Sequence, residues 1–170
     1  VRRVLRAVFQ AGALPIRDLS RQAGLPIPVV AAIRGELESR GILLRKGGVA
    51  LSEVGYQIVR QHLGISCRRK FPSPQASPIP TELKAVQEQL EEVCKNRPQV
   101  DVRLDQSHTT AETTLRRAIF LYGHDALEGR NVLILGDDDL TSLGVIFLAK
   151  FLGFRTQRIV VVELDERLVE

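Results

Sequence analysis

The chain has no methionine and no tryptophan, and aromatic residues make up 5% of its 170 positions. It has two cysteines, Cys67 and Cys94, too few for a disulfide framework or a four-ligand structural zinc site. Both read as free thiols, Cys94 on a helix face. No apolar run approaches the roughly 20 residues that span a bilayer. Val1–Gln10 is too short and too basic for a secretory leader, so a cytoplasmic protein is expected. The glycine-rich turn G-x-G-x-x-G of dinucleotide sites is also missing. Arginine outnumbers lysine, as in thermophilic or GC-rich sources.

What is present is unevenly spread. Residues 1–64 carry ten basic against four acidic residues, and residues 101–170 carry eight against twelve. A basic front and an acidic back imply different partners for each. The organising stretch is Asn131–Asp139, NVLILGDDD. Val132–Leu135 predicts a buried strand and Gly136 ends it. Three carboxylates follow, Asp137, Asp138 and Asp139. Then a helix is predicted, with Leu143, Phe147 and Phe151 four apart and Gly153 at its end. Ile159–Val162 predicts a second strand that closes on Glu163 and Asp165. Strand, turn, helix and strand ending in an acid form a βαβ nucleotide-binding pattern.

The turn repels phosphate, so its ligand should be cationic or metal-bridged. The plainer alternative is that the aspartates only cap the helix and complement its dipole, at roughly 0.3–1 kcal/mol each. One such residue is ordinary. Three at the carboxyl end of a strand, where open α/β sheets bind ligands, favour a functional site. Glu163 lies 27 residues after Gly136, the usual place for a carboxylate that holds both ribose hydroxyls. Asp165 competes for that role, and a solvated strand end is the plain alternative.

The front, residues 1–64, predicts an α+β winged helix-turn-helix. Val4, Leu5, Val8 and Phe9 stripe the first helix, and Ile16–Ala23 is the second. Pro26–Arg40 is the third, with Val29, Val30, Ile33 and Leu37 inward. Leu43–Leu51 is a wing turning at Gly47 and Gly48, and Ser52–Leu63 is a final helix capped by Ser52. Arg34, Arg40, Arg45 and Lys46 suit phosphates, but the third helix mixes Glu36 and Glu38 among them and offers no Asn or Gln. Nucleic acid is therefore not favoured, and packing or dimerisation is an equal reading. Residues 65–80 form a Pro- and Ser-rich linker. Thr81–Asn96 is an amphipathic helix capped by Thr81 and lined by Leu83, Val86, Leu90 and Val93. Gln99–Thr110 alternates as a strand, with Val100, Val102 and Leu104 on one face. It leads into Asp105 and Gln106, a carboxylate and an amide suited to gripping an amine. His108 reads as a polar loop residue. Residues 81–170 are the start of a Rossmann-like domain that stops after its second strand, as expected for part of a longer chain.

The stretch LDQSHTTAETTLRRAIFLYGHDALEGRNVLILGDDDLTSLGVIFLAKFLGFRTQRIVVVELDERLVE resembles the branched-chain polyamine synthases, aminopropyltransferases also called N(4)-bis(aminopropyl)spermidine synthases. The GDDD turn followed by LTS carries the resemblance, whereas the ELD at Glu163–Asp165 is shared with linear spermidine synthases. A winged-helix front is also what that family carries. The resemblance implies a polyamine acceptor such as spermidine, decarboxylated S-adenosylmethionine as co-substrate rather than a bound cofactor, and methylthioadenosine as product. It implies that a GDDD aspartate acts on the attacking amine. Asp139 is favoured, because its spacing from Gly136 matches the aspartate of the GGGDGG turn in linear synthases. Glu163 would hold the ribose, and Asp105 and Gln106 match a loop that helps close the site. Some relatives have cysteine-rich linkers. Here only Cys67 stands there, so no metal is assigned. A homo-oligomer is expected, with no membrane partner. Two readings compete: an S-adenosylmethionine-dependent methyltransferase, which would keep glycines in the turn, and a DNA-binding regulator sensing a small cation.

Overall fold

The computed structural model describes residues 1–71 and 78–169. The chain divides into two compact units, Val1–Lys70 and Phe71–Glu170. No helix among the described residues is long and apolar enough to cross a membrane.

The first unit runs α1 (Arg2–Ala11), α2 (Ile16–Ala23), α3 (Ile27–Ser39), β1 (Leu43–Arg45), β2 (Val49–Leu51) and α4 (Glu53–Gln57). The apolar stripe of α1 forms its centre. Val4, Leu5, Val8 and Phe9 are buried with Leu19, Val30, Leu37, Leu43, Leu51 and Val59. β1 and β2 pair antiparallel, Leu43 opposite Leu51 and Arg45 opposite Val49. The Ser52 hydroxyl oxygen accepts from the Gly55 amide at 2.9 Å, which caps α4. Beyond Gln57 the helix widens, so that the Leu63 amide reaches Ile58 O at 3.0 Å. Val29, assigned inward from its spacing, is 43% exposed, because the face of α3 that packs is the one carrying Val30 and Leu37. The linker expected from residue 65 starts later. Ile65 is fully buried in this core and Cys67 is buried too, so their apolar burial holds the chain to the unit. Residues 72–77 of that linker lie outside the described residues.

The second unit runs α5 (Lys84–Lys95), α6 (Ala111–Gly123), β3 (Asn131–Leu135), α7 (Thr141–Leu152) and β4 (Arg158–Val162). Thr81 makes no capping bond; Thr81–Leu83 is one tight turn leading into α5. β3 and β4 pair parallel in register, Asn131 with Arg158 through Leu135 with Val162. With α7 as the crossover they make a βαβ unit, and a parallel pair requires such a connection. Leu83, Val86, Leu90, Leu115, Ile119, Tyr122, Val145, Leu148 and Phe154 are buried. The close approach of α6 and α7 depends on Gly144, where an added Cβ would stand 2.9 Å from Thr114 Cγ2.

Two expectations fail here. β3 is not buried on both faces: Leu133 is 63% and Leu135 75% exposed, and their strand neighbour Val162 is also exposed. A two-stranded sheet leaves one face bare among the described residues. Gln99–Thr110 is not a strand either. Val102–Leu104 forms a single turn, with the Asp101 carboxylate capping the Arg103 amide at 2.9 Å and Asp105 left-handed at φ 55°. Among the described residues no strand pairs with this segment, so local side-chain bonds to backbone decide its shape, and Val102 stands exposed.

Candidate active site

Three segments converge at the carboxyl ends of β3 and β4: the loop before α6, the acidic turn after β3, and the acidic end of β4. Gly136 takes φ 72°, a conformation a side chain would strain, and its amide bonds Val162 O at 2.8 Å. The chain then turns tightly, with Leu140 N bonded to Asp137 O at 2.8 Å. Leu140 itself is left-handed at φ 55° and buried, a strained start for α7.

The three aspartates do different things. Asp137 is buried and caps α7: its Oδ1 accepts from the Ser142 amide at 3.0 Å and its Oδ2 from the Ser142 hydroxyl. Burial pushes its carboxyl up, only partly offset by those Ser142 bonds. Asp138 accepts from the backbone amide of Ser107 at 2.9 Å. Asp139 Oδ1 accepts from the amide of Thr109 at 3.1 Å, its Oδ2 pairs with Arg117, and its backbone carbonyl takes the Thr114 hydroxyl at 2.7 Å. Two turn carboxylates are thus stapled to the loop that precedes α6.

Gln106 extends the seam. Its Oε1 accepts from the Asp101 amide at 2.9 Å, and its Nε2 donates to Asp165 Oδ2 at 2.8 Å. Asp165 is buried and also held by Arg167 through Nε at 2.7 Å and Nη2 at 2.5 Å. Arg167 first, then Gln106, keep its carboxyl well below the usual range. Glu163 turns back on the backbone, taking the Asp137 amide at 2.5 Å, Leu164 at 2.7 Å and Asp165 at 3.0 Å. The Asp165 and Asp137 amides hold its carboxyl low. Asp105 stands apart: it is exposed, and its side chain joins none of these bonds.

Two residues that the sequence did not single out complete the arrangement. Arg97 follows α5 and donates through Nη1 to Asp138 O at 3.1 Å and through Nη2 to Thr109 O at 3.0 Å, clamping turn to loop. Arg117 on α6 pairs with Asp139. Neither carries a spacing signal, because each finds its partner through the fold.

A family described as the branched-chain polyamine synthase A C-terminal domain matches residues 85–170. The chain belongs to this synthase family. N(4)-bis(aminopropyl)spermidine synthase of Thermococcus kodakarensis is 31% identical over 100% of this chain and 47% of that protein. That of Methanocaldococcus jannaschii is 33% identical over 91% of this chain and 42% of that protein. The branched-chain polyamine synthase of Thermus thermophilus, solved with N4-aminopropylspermidine and 5'-methylthioadenosine, is 27% identical and covers 99% of this chain and 46% of that one, with a TM-score of 0.45. The chain spans less than half the length of these synthases.

Proposed function

We propose that the chain is part of an aminopropyltransferase that moves aminopropyl groups from decarboxylated S-adenosylmethionine to a polyamine amine. The observation that carries this reading is the stapling of Asp138 and Asp139 by the amides of Ser107 and Thr109. It presents fixed carboxylate oxygens on a strand end of the βαβ unit, in a family of polyamine synthases. Both substrates are cations, and such a turn favours them.

The reaction is a displacement. The acceptor nitrogen bonds the aminopropyl carbon beside the sulfonium, the carbon–sulfur bond breaks, and its electron pair returns to sulfur as neutral methylthioadenosine. The leaving group needs no acid. The acceptor does need a base, because a free amine has a pKa of about 10. Asp139 binds the ammonium and takes its proton directly or through one water. Asp138 adds a second anionic contact. Asp137 holds the helix end and the turn in shape. Alignment of nitrogen, carbon and sulfur at about 3–3.5 Å supplies the rest.

Glu163 is the ribose acceptor in this reading. A carboxylate has about four lone-pair sites, and three here hold amides, so gripping both ribose hydroxyls requires one amide to be released. Gln106 and Asp165 brace the loop over the site. The first unit is read as a winged helix domain that packs rather than reads DNA. Arg40 pairs with Glu36, and Arg34 and Arg45 pair with Glu38, so three of its four candidate phosphate contacts are already matched.

The test incubates the full-length protein with spermidine and decarboxylated S-adenosylmethionine and looks for a tertiary or quaternary amine. Appearance of that amine with methylthioadenosine supports the assignment, and transfer of a methyl group instead overturns it.

A further inference from the structure

α6 presents two adjacent arginines in different situations. Arg116 is satisfied on its own helix, donating to Glu112 through Nε at 3.0 Å and Nη2 at 2.7 Å. Arg117 has no carboxylate one turn away, since positions 113, 114, 120 and 121 are Thr, Thr, Phe and Leu. It crosses instead to Asp139. Its side chain stays 45% exposed, while that of Asp139 is 17% exposed.

Asp139 does not depend on this arginine for its position. Its Oδ1 is fixed by the Thr109 amide and its carbonyl by the Thr114 hydroxyl. If Arg117 swings out to water, the carboxylate stays in place with Oδ2 open. Leaving is cheap, because half-exposed ion pairs contribute little. A secondary ammonium, the acceptor nitrogen whose alkylation yields a tertiary amine, brings two N–H donors and suits the vacated oxygen. Arg97 offers the contrast: its two partners are backbone carbonyls, which a cationic ligand does not compete for in the same way.

We propose that Arg117 is a built-in stand-in for the acceptor's ammonium at Asp139, so that acceptor binding is an exchange of one cation for another. This rests on the acceptor reading of Asp139 above. Arg117 then sets a threshold: a ligand must offer a positively charged nitrogen to displace it, and neutral amides are refused.

The test compares full-length wild type with Arg117→Ala, Arg117→Gln and Arg117→Lys, using calorimetric titration with spermidine and with spermidine acylated at its secondary nitrogen, which should fail to bind, together with steady-state transfer. Removing the charge should tighten spermidine binding and lower its KM by about two- to five-fold, the scale of a half-exposed ion pair. The KM for the sulfonium donor should not move, and Arg117→Lys should stay near wild type. Arg117→Gln keeps much of the side chain's length and serves where Arg117→Ala melts early. Unchanged or weaker spermidine binding in both folded neutral variants overturns the exchange, while the acceptor reading stands if wild type still binds and transfers. Wild type that neither binds spermidine nor transfers to it sinks both.

Discussion

The backbone amide of Asp137 donates to the Glu163 carboxylate at 2.5 Å, across 26 residues of chain. The residue that starts the acidic turn and the residue that ends β4 are one joined structure. Whatever moves Glu163 is felt by the turn.

Glu163→Gln should therefore separate the two substrates. In the reading proposed above, loss of the charge removes the acceptor for the ribose hydroxyls, and hydrogen bonds to charged groups are worth about 1.5–3 kcal/mol. The KM for the nucleoside donor is expected to rise at least about tenfold, with a smaller change for the polyamine. Steady-state kinetics with each substrate varied in turn checks this; an equal rise for both would place Glu163 in turn support alone.

Asp139→Asn in the full-length protein is expected to lower turnover by about 10²-fold or more, the usual scale of a general base. The amide keeps an oxygen for the Thr109 amide, so the fold and its thermal melt should be retained. Unchanged turnover removes Asp139 from the chemistry.

Gly144→Ala tests the helix contact under the turn. The new Cβ would meet Thr114 Cγ2 at 2.9 Å and Thr114 O at 3.2 Å, with backbone as the second obstacle. Overpacking of this kind costs about 1–3 kcal/mol. Because Thr114 also holds the Asp139 carbonyl, denaturant unfolding and transfer rate should both fall. A variant as stable as wild type would show that α6 and α7 can part without cost.

Asp137 makes stability depend on pH in a direction opposite to the usual carboxylate. Its carboxyl is raised from 3.8 by burial, so its contribution is fully present below about 3.8 and is lost as pH rises through the raised value. Asp101 runs the other way. Arg103 holds it at about 2, so its contribution is present above 3.8 and is lost as pH falls toward about 2. Asp137→Asn keeps an oxygen for the Ser142 amide and should gain on wild type as pH is raised from about 3 to 7. Asp101→Asn should instead flatten the acid limb. Urea unfolding across that range decides, and a constant gap between wild type and Asp137→Asn would refute the assignment.

Much of the second unit was readable from side-chain pattern alone. The runs Val132–Leu135 and Ile159–Val162, with a helical period between them, permit few arrangements other than strand, crossover and parallel strand. The three successive acids after Gly136 marked the turn out by charge alone. Short alternation misled at Val100, Val102 and Leu104, because a strand exists only where another strand accepts its hydrogen bonds, and sequence spacing cannot report that. Similarly, the run in β3 could not tell whether both faces would be covered. Only tertiary structure paired Ser107 with Asp138, Thr109 with Asp139 and Arg117 with Asp139. These contacts join residues 22 to 31 positions apart. Composition and period determine which segments become helix or charged turn, since those are local preferences. Which carboxylate caps, which braces and which pairs with an arginine is decided by distances between segments, and the packing of α6, α7 and the two strands sets those distances.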